Sequence, residues 1–175
     1  MNPDDVLLFG DECGIGQLPT VRTMWALKGQ TPVVQSPGGK KRQNIMGAVC
    51  PATGVVTSAF IPNLTATIFL VFLKALLRLY RRAGKIYLVI DNARSHHAKL
   101  LQPFLKAVAW KLELIFLPPY SPDFNPIEDF WKLLREKITH NTFFERFDDM
   151  VGALRAYLGK CKQPNEEVRS RCRHL

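Results

Sequence analysis

The stretch that organises the chain runs from residue 117 to residue 136 and reads LPPYSPDFNPIEDFWKLLRE. It leaves an apolar strand, passes through a proline-rich turn that excludes helix and central strand, and continues as a helix. Asn125 suits the N-cap, Pro126 suits the first helical position, and Glu128 stands three residues after the cap. The rigid turn therefore fixes where Glu128 points, either to cap its own helix or to join other carboxylates in a chemical site.

Composition restricts the class of protein. A chain of 175 residues with 47% hydrophobic residues can form one domain with a proper core. Its formal net charge of +9 suits a polyanionic partner, most often nucleic acid. The four cysteines lack CxxC spacing, so we expect reduced thiols in a cytoplasmic protein. We expect no membrane partner, because the most apolar run, near residues 68–79, is short and contains two basic residues.

Hydrophobic patterning predicts alternating strands and helices. Short apolar runs predict strands, and apolar residues at helical spacing predict helices. In the helix from Pro126 this spacing is expected to turn five side chains toward the core: Ile127, Phe130, Trp131, Leu134 and Ile138. The predicted order is a strand over 6–10, a hairpin over 44–50 and 55–61, a helix from 65 to 80, a strand over 85–90, a helix over 95–110, a strand over 112–117, and helices from 126 and 148. Strands joined through helices imply right-handed crossovers and a partly parallel sheet, so the fold class is α/β.

Acidic residues follow two of these strands. Asp11 ends the first and Asp91 ends the strand over 85–90, so neighbouring parallel strands would bring them about 5 Å apart at one sheet edge. Two such carboxylates repel each other unless a cation holds them, and hard divalent ions prefer oxygen ligands. Glu128 could supply a third ligand, and two ions about 4 Å apart can clamp a phosphoryl displacement. The sequence therefore allows a metal site at the carboxyl ends of the strands.

Simpler roles exist for each of these acids. Asp11 could be a turn residue, Asp91 could favour the N-terminus of the next helix, and Glu128 could cap its helix or pair with Lys132. Judged alone, Asp11 and Glu128 would both be assigned these simpler roles. Only the combination of the three favours a shared site.

Three sequence blocks carry a family resemblance. They are Asp11-Glu12 after an apolar strand, Asp91-Asn92 with His96-His97 downstream, and the run from Pro118 to Glu128. Together they resemble the DDE transposases, more narrowly the mariner-type transposases of bacterial insertion sequences. The resemblance implies a ribonuclease-H-like fold with a mixed five-stranded sheet flanked by helices. It also implies Asp11, Asp91 and Glu128 as the catalytic, metal-binding triad, with 36 residues between the last two.

The same resemblance implies an activity and partners. Two Mg²⁺ or Mn²⁺ ions would support hydrolytic nicking at transposon ends and then attack of a 3′-hydroxyl on target DNA. The implied partners are double-stranded DNA and a second copy of the chain in a homodimer. The implied location is the nucleoid of a prokaryotic cell. Two rival functions stay open: a ribonuclease-H-like nuclease without strand transfer, and a DNA-binding transposase remnant without catalysis.

Further residues are predicted to support the triad. Asn92 and Asn125 are expected behind the acids, while Tyr120 could stack on a base or brace its loop, and one of the two histidines could touch DNA or the metal site. The predicted DNA contacts are Arg22, Lys40, Lys41, Arg42, His96, His97 and Tyr120. Glu12 and Asp129 are expected to face away from the site.

The predicted organisation is a catalytic domain over residues 1–160 and a basic, mobile tail over residues 161–175. Relatives of this type normally carry N-terminal helix-turn-helix modules, and Met1 lies only a few residues before the first strand. We therefore expect a catalytic domain alone, a truncated copy, or one half of a split reading frame.

Overall fold

A computed structural model of the chain describes residues 2–31, 33–36, 41–118 and 122–173. Its strands are β1 (Val6–Gly16), β2 (Arg42–Cys50), β3 (Val55–Ile61), β4 (Ile86–Ile90) and β5 (Leu112–Phe116). They form one five-stranded sheet in the order β3-β2-β1-β4-β5. The pairs β1–β4 and β4–β5 are parallel, whereas β1–β2 and β2–β3 are antiparallel. The predicted mixed sheet and its hairpin are confirmed.

The described residues form five α-helices beside the sheet: α1 (Ala66–Leu79), α2 (Gln102–Val108), α3 (Ile127–Ile138), α4 (Phe147–Lys160) and α5 (Glu166–Arg171). The Thr65 hydroxyl accepts a hydrogen bond from the Ile68 N–H and so caps the start of α1. Within the described ranges, none of the helices has the length and apolar character needed to cross a membrane.

The two faces of the sheet carry separate cores. Phe9 of β1 packs with residues of α3, α4 and α5, whereas its neighbour Leu8 packs with α1, β4 and the segment before α2. This alternation follows from the period of two along a strand. It places Leu7, Phe9 and, by the same period, Asp11 toward the face that α3 covers, as predicted.

Strand β1 is longer than predicted. The sequence indicated an end at Asp11, where the apolar run stops and an acid before Gly14 and Gly16 suits a turn. The structure instead pairs β1 with β2 as far as Gly16 opposite Arg42, while parallel pairing with β4 stops at Phe9. Pairing with β2 therefore outweighs the weak local preference, and Asp11 lies inside β1 but just beyond its parallel segment.

The helix predicted over residues 95–110 is wrong in detail. Two 3₁₀ turns, Arg94–His97 and Lys99–Leu101, precede the short helix α2. Ala98 between them is extended, with ψ 137°, and Pro103 occupies the first turn of α2. Because proline suits a helix start and not a helix interior, one continuous helix cannot form here.

The expectation of a mobile tail after residue 160 does not match residues 161–173. Cys161, Val168 and Cys172 are fully buried and join the core beneath α3 and α4. The Val56 N–H of edge strand β3 donates to the Cys161 carbonyl over 2.7 Å. The C-terminal segment therefore completes one core and covers part of an exposed sheet edge.

Candidate active site

The first two acids stand at the same level of the sheet. The parallel register pairs Phe9 with Val89, so continuing it by two residues sets Asp11 beside Asp91. Asp91 directly follows Ile90, the last residue of β4. Adjacent strands lie about 5 Å apart, which brings both backbones to one edge of the sheet.

Asp11 is surrounded by features that oppose its ionisation. Burial raises the pKa of its carboxyl from 3.8 to about 7, and the negative charges of Glu128 and Asp91 add to that effect. Hydrogen bonds from the Glu12 backbone N–H and the Trp131 indole act in the opposite direction. The charge of Glu128 affects Asp11 more strongly than that of Asp91. Asp11 therefore sits in an excess of negative charge, as expected of a cation site.

Glu128 lies in the first turn of α3, beside a cleft of about 310 Å³. The cleft is lined by Asp123, Asn125, Glu128, Asp129 and Lys132. Lys132 Nζ lies 2.9 Å from Asp129 Oδ1, so the ion pair considered for Glu128 is made by its neighbour. This arrangement leaves a carboxylate of intermediate burial at the edge of the sheet that carries Asp11.

Asn125 does not cap α3 with its side chain, contrary to prediction. Pro126 is the residue that precedes α3, and the Glu128 N–H donates to the Asn125 carbonyl over 2.9 Å. The Asn125 amide instead donates to the Gly10 carbonyl over 3.2 Å. Its Oδ1 atom is buried and has no hydrogen-bond partner among the described residues. The Asn125 side chain therefore ties the start of α3 to β1, immediately before Asp11.

His96 is directed at Asp91 from the 3₁₀ turn that follows β4. Its Nδ1 lies 3.0 Å from Asp91 Oδ1 and 3.2 Å from the Asp91 carbonyl oxygen. The ring is almost fully buried, 4.3 Å from the Phe69 ring between centroids. Burial lowers the pKa of His96, although the contacts with Asp91 oppose that change. We therefore assign a neutral ring whose Nδ1–H donates to Asp91.

Asn92 and His97 form a second contact at this edge. The Asn92 amide donates to the Leu117 carbonyl, and its Oδ1 lies 3.2 Å from His97 Nε2. The exposed His97 ring stacks on Phe116 of β5, with centroids 4.3 Å apart. The Asn92 side chain thus connects two segments: the turn after β4, which contains Asp91, and the segment after β5, which leads to Glu128. His97 is exposed whereas His96 is buried, so only His97 is open to a large ligand.

The described basic residues among the predicted phosphate contacts lie between the end of β1 and the first residue of β2. Arg22 is exposed, with its backbone N–H bonded to an asparagine side chain. Lys41 is exposed near the Phe147 ring. Arg42 begins β2 and is also exposed. Lys40 and Tyr120 lie outside the described residues.

The three carboxylates are suitable ligands for a hard divalent cation, but their side chains are not gathered around one point. Asp11, Asp91 and Glu128 offer only carboxylate oxygens, which Mg²⁺ and Mn²⁺ prefer. Among the side chains that the structure describes, no three His, Cys, Asp or Glu lie close enough together to hold a metal ion. Asp91 is turned toward His96 and accepts from the Ala93 N–H over 3.2 Å. The residues therefore fit the ion, and Asp91 would have to turn to complete the set.

Trp131 is a site residue that the sequence reasoning missed. Its indole N–H donates to Asp11 Oδ2 over 3.2 Å, although the helical pattern assigned it to the core. The side chain is 1% exposed, so the assignment to the core was also right. Its position three residues after Glu128 was the available signal, because such residues share a helix face.

A mixed five-stranded sheet flanked by helices is the architecture of a ribonuclease-H-like domain. The model of the DDE superfamily endonuclease family matches residues 6–151. The chain belongs to this family, which confirms the resemblance drawn from the three sequence blocks.

Two curated relatives are similar in sequence. An uncharacterized 39 kDa protein of insertion element IS630 from Shigella sonnei is 33% identical over 135 residues, which is 77% of this chain and 39% of that protein. The uncharacterized protein y4pE/y4sA of Sinorhizobium fredii is 33% identical over 107 residues, 61% of this chain and 76% of that protein. The chain thus spans about two fifths of the insertion element protein.

Solved structures of Mos1 mariner transposase share the fold. The Mos1 paired-end complex with Mg has a TM-score of 0.69 at 17% identity, covering 96% of this chain and 53% of that one. The Mos1 catalytic domain has a TM-score of 0.57 at 16% identity, covering 95% of this chain and 78% of that one. At these identities the likeness shows the fold alone, and it confirms the predicted ribonuclease-H-like architecture.

Proposed function

We propose that this chain is the catalytic domain of a DNA transposase that nicks transposon ends and joins them to target DNA. Asp11, Asp91 and Glu128 would act together in divalent-cation-dependent phosphoryl transfer. Asp11 carries this proposal, because its carboxyl is held at one sheet edge within the negative field of both other acids. The names of the relatives, an insertion element protein and a mariner transposase, agree with it.

Asp11, Asp91 and Glu128 would hold Mg²⁺ or Mn²⁺, two ions during catalysis. When bound, the ions would neutralise the carboxylates and offset negative charge on the phosphoryl group. The Asn125 Oδ1 atom, buried without a partner among the described residues, offers a further oxygen beside Glu128. If the Asp91 carboxylate turned toward a bound ion, its hydrogen bond with His96 would be kept or lost according to the size of that rotation.

The reaction has two steps of the same kind. In the nick, water loses a proton and attacks a phosphorus at the transposon end. The bond from that phosphorus to the 3′ oxygen breaks, which leaves a 5′-phosphate, and the 3′ oxygen takes up a proton to become a 3′-hydroxyl. In strand transfer, this hydroxyl loses its proton and attacks a target phosphodiester, whose own 3′ oxygen leaves and takes up a proton. One carboxylate site serves both steps, because only the attacking oxygen differs.

The DNA partner is proposed on charge and exposure. The chain has a formal net charge of +9, and the exposed Arg22, Lys41 and Arg42 can meet phosphates. A homodimer that bridges two ends, and a prokaryotic nucleoid location, are parts of the same proposal.

A joining assay tests the proposal. The protein is mixed with Mg²⁺, labelled duplexes carrying the ends of the element that encodes it, and a supercoiled target plasmid. We expect wild type to nick the ends and join them, and Asp91→Asn and Glu128→Gln to lose about 100-fold or more in both steps. Glu12→Gln and Asp129→Asn, which change adjacent acids, serve as matched controls and keep the activity.

Other outcomes identify the rivals. Nicking without any joined product would indicate a nuclease that lacks strand transfer. DNA binding without nicking, at any Mg²⁺ or Mn²⁺ concentration, would indicate a DNA-binding protein without catalysis. Equal activity in wild type and Glu128→Gln would exclude the proposed triad.

A further inference from the structure

The Trp131 indole joins the core to the site. Its N–H donates to Asp11 Oδ2, and the rest of the ring is buried with Ile127 and Phe130 beneath the sheet. Trp131 lies on α3, less than one turn after Glu128. Helix α3 therefore contains Glu128 and, through the Trp131 indole, also binds the Asp11 carboxylate.

Gly47 of β2 provides the space for this ring. It stands directly opposite Asp11 in the β1–β2 register. A Cβ atom built on Gly47 would lie 2.6 Å from Cη2 and 2.9 Å from Cζ2 of Trp131, and 3.3 Å from Ile127 Cδ1. Contacts below 3.0 Å are not tolerated, so any side chain at position 47 must displace the indole or the strand.

Asn125 supplies a second connection between α3 and β1. Its amide donates to the Gly10 carbonyl, one residue before Asp11, and its side chain is 5% exposed. Asn125 and Trp131 thus stand three residues before and three residues after Glu128. Two side-chain hydrogen bonds to consecutive residues of β1 therefore hold α3 against β1 on either side of Glu128.

We propose that Trp131 is a positioning residue, which holds the Asp11 carboxylate in the orientation that it needs to bind a divalent cation together with Glu128. Gly47 is the glycine that makes this contact possible. The inference rests on the proposed function, because it assumes that Asp11 is a ligand. Carboxylate ligands in metal sites are commonly oriented by hydrogen bonds from a surrounding layer, and losing one such bond weakens metal binding about 10- to 100-fold.

Mn²⁺ binding in the absence of DNA tests the contact, measured by calorimetry and by the paramagnetic resonance signal of free Mn²⁺. Trp131→Phe keeps an aromatic ring but removes the N–H, and we expect about 10-fold weaker binding with an unchanged circular dichroism spectrum. Gly47→Ala should weaken binding similarly by moving the ring. Trp110→Phe removes an indole that is 78% exposed and should change nothing.

A measurement on the unaltered Trp131 covers the case in which these variants fail to fold. The chain has three tryptophans, and the exposed Trp25 and Trp110 can each be replaced by Phe to assign their indole N–H signals in ¹⁵N spectra. The remaining signal belongs to Trp131. We expect it to shift during a Mg²⁺ titration, while the other two stay in place.

These measurements distinguish failure of the positioning role of Trp131 from failure of the proposed metal-dependent function. Wild-type Mn²⁺ affinity in Trp131→Phe, or an indole signal of Trp131 that ignores Mg²⁺ while Asp11→Asn abolishes binding, would overturn the positioning role and leave the triad standing. If wild type binds no Mn²⁺, or if Asp11→Asn binds it equally well, the proposed function fails and the inference fails with it.

Discussion

Replacing Asp11 by asparagine should stabilise the protein in EDTA near pH 7.5, and the gain should disappear toward pH 4. The reason is the raised pKa of the Asp11 carboxyl, about 7 against an ordinary value of 3.8, caused first by burial and then by Glu128 and Asp91. The amide introduced by Asp11→Asn would carry no charge at any pH, and its oxygen could still accept the hydrogen bond from Trp131.

The sign and size follow from proton linkage. Between about pH 4 and pH 7 the folded protein keeps a proton on Asp11 that the unfolded chain has released, so the free energy of unfolding falls as pH rises. Each tenfold difference in proton affinity is worth about 1.4 kcal/mol, which sets a ceiling of about 4 kcal/mol. Because Asp11 is partly open to solvent, we expect a gain of about 2 kcal/mol at pH 7.5.

Urea unfolding of both proteins in EDTA, from pH 4 to pH 8, measures this difference. Glu12→Gln alters an exposed neighbour and should stay within about 0.5 kcal/mol of wild type throughout. Saturating Mg²⁺ should stabilise wild type but not Asp11→Asn. Equal stability of the two proteins across the range, or a gain that is largest at pH 4, would refute the electrostatic reasoning.

Two further predictions concern stability and DNA affinity. Val168→Ala should lower the free energy of unfolding by about 2 kcal/mol, because the side chain is fully buried in α5; a urea midpoint equal to that of wild type would show that α5 is not part of the core. Replacing Lys41 and Arg42 by Ala should reduce the slope of log affinity for duplex DNA against log salt by about 2, as seen by fluorescence anisotropy. Lys85 directly precedes β4, at the end of that strand far from Asp91, and pairs with Glu113, so Lys85→Ala should leave the slope unchanged. An affinity of wild type that does not change with salt would exclude binding led by phosphate contacts.

The sheet and the positions of two acids could be read from the sequence, because short apolar runs and the period of two are local signals. The register of β1 with β4 could not, since it depends on pairing between distant segments. The same limit explains the length of β1, in which Gly14 and Gly16 extend a strand only because β2 lies alongside.

The site was predictable in its residue types but not in its contacts. Asn125 had the local features of an N-cap, yet its amide bonds to Gly10, which is 115 residues away in the chain. Trp131 fitted an apolar stripe, and nothing local shows that its N–H meets Asp11. The basic composition after residue 160 likewise concealed Val168, which only a contact with the rest of the fold could reveal as core.

Nicking of supercoiled plasmid DNA in Mn²⁺, which requires no specific transposon end, tests the central claim most directly. The comparison is between Glu128→Gln and Asp129→Asn, adjacent acids in the first turn of α3, of which only Glu128 is assigned to the triad. We predict wild-type nicking that EDTA abolishes, a loss of about 100-fold or more in Glu128→Gln, and a rate within about twofold of wild type in Asp129→Asn. Nicking by Glu128→Gln at the rate of Asp129→Asn would contradict the assignment of Glu128, and with it the three-carboxylate site.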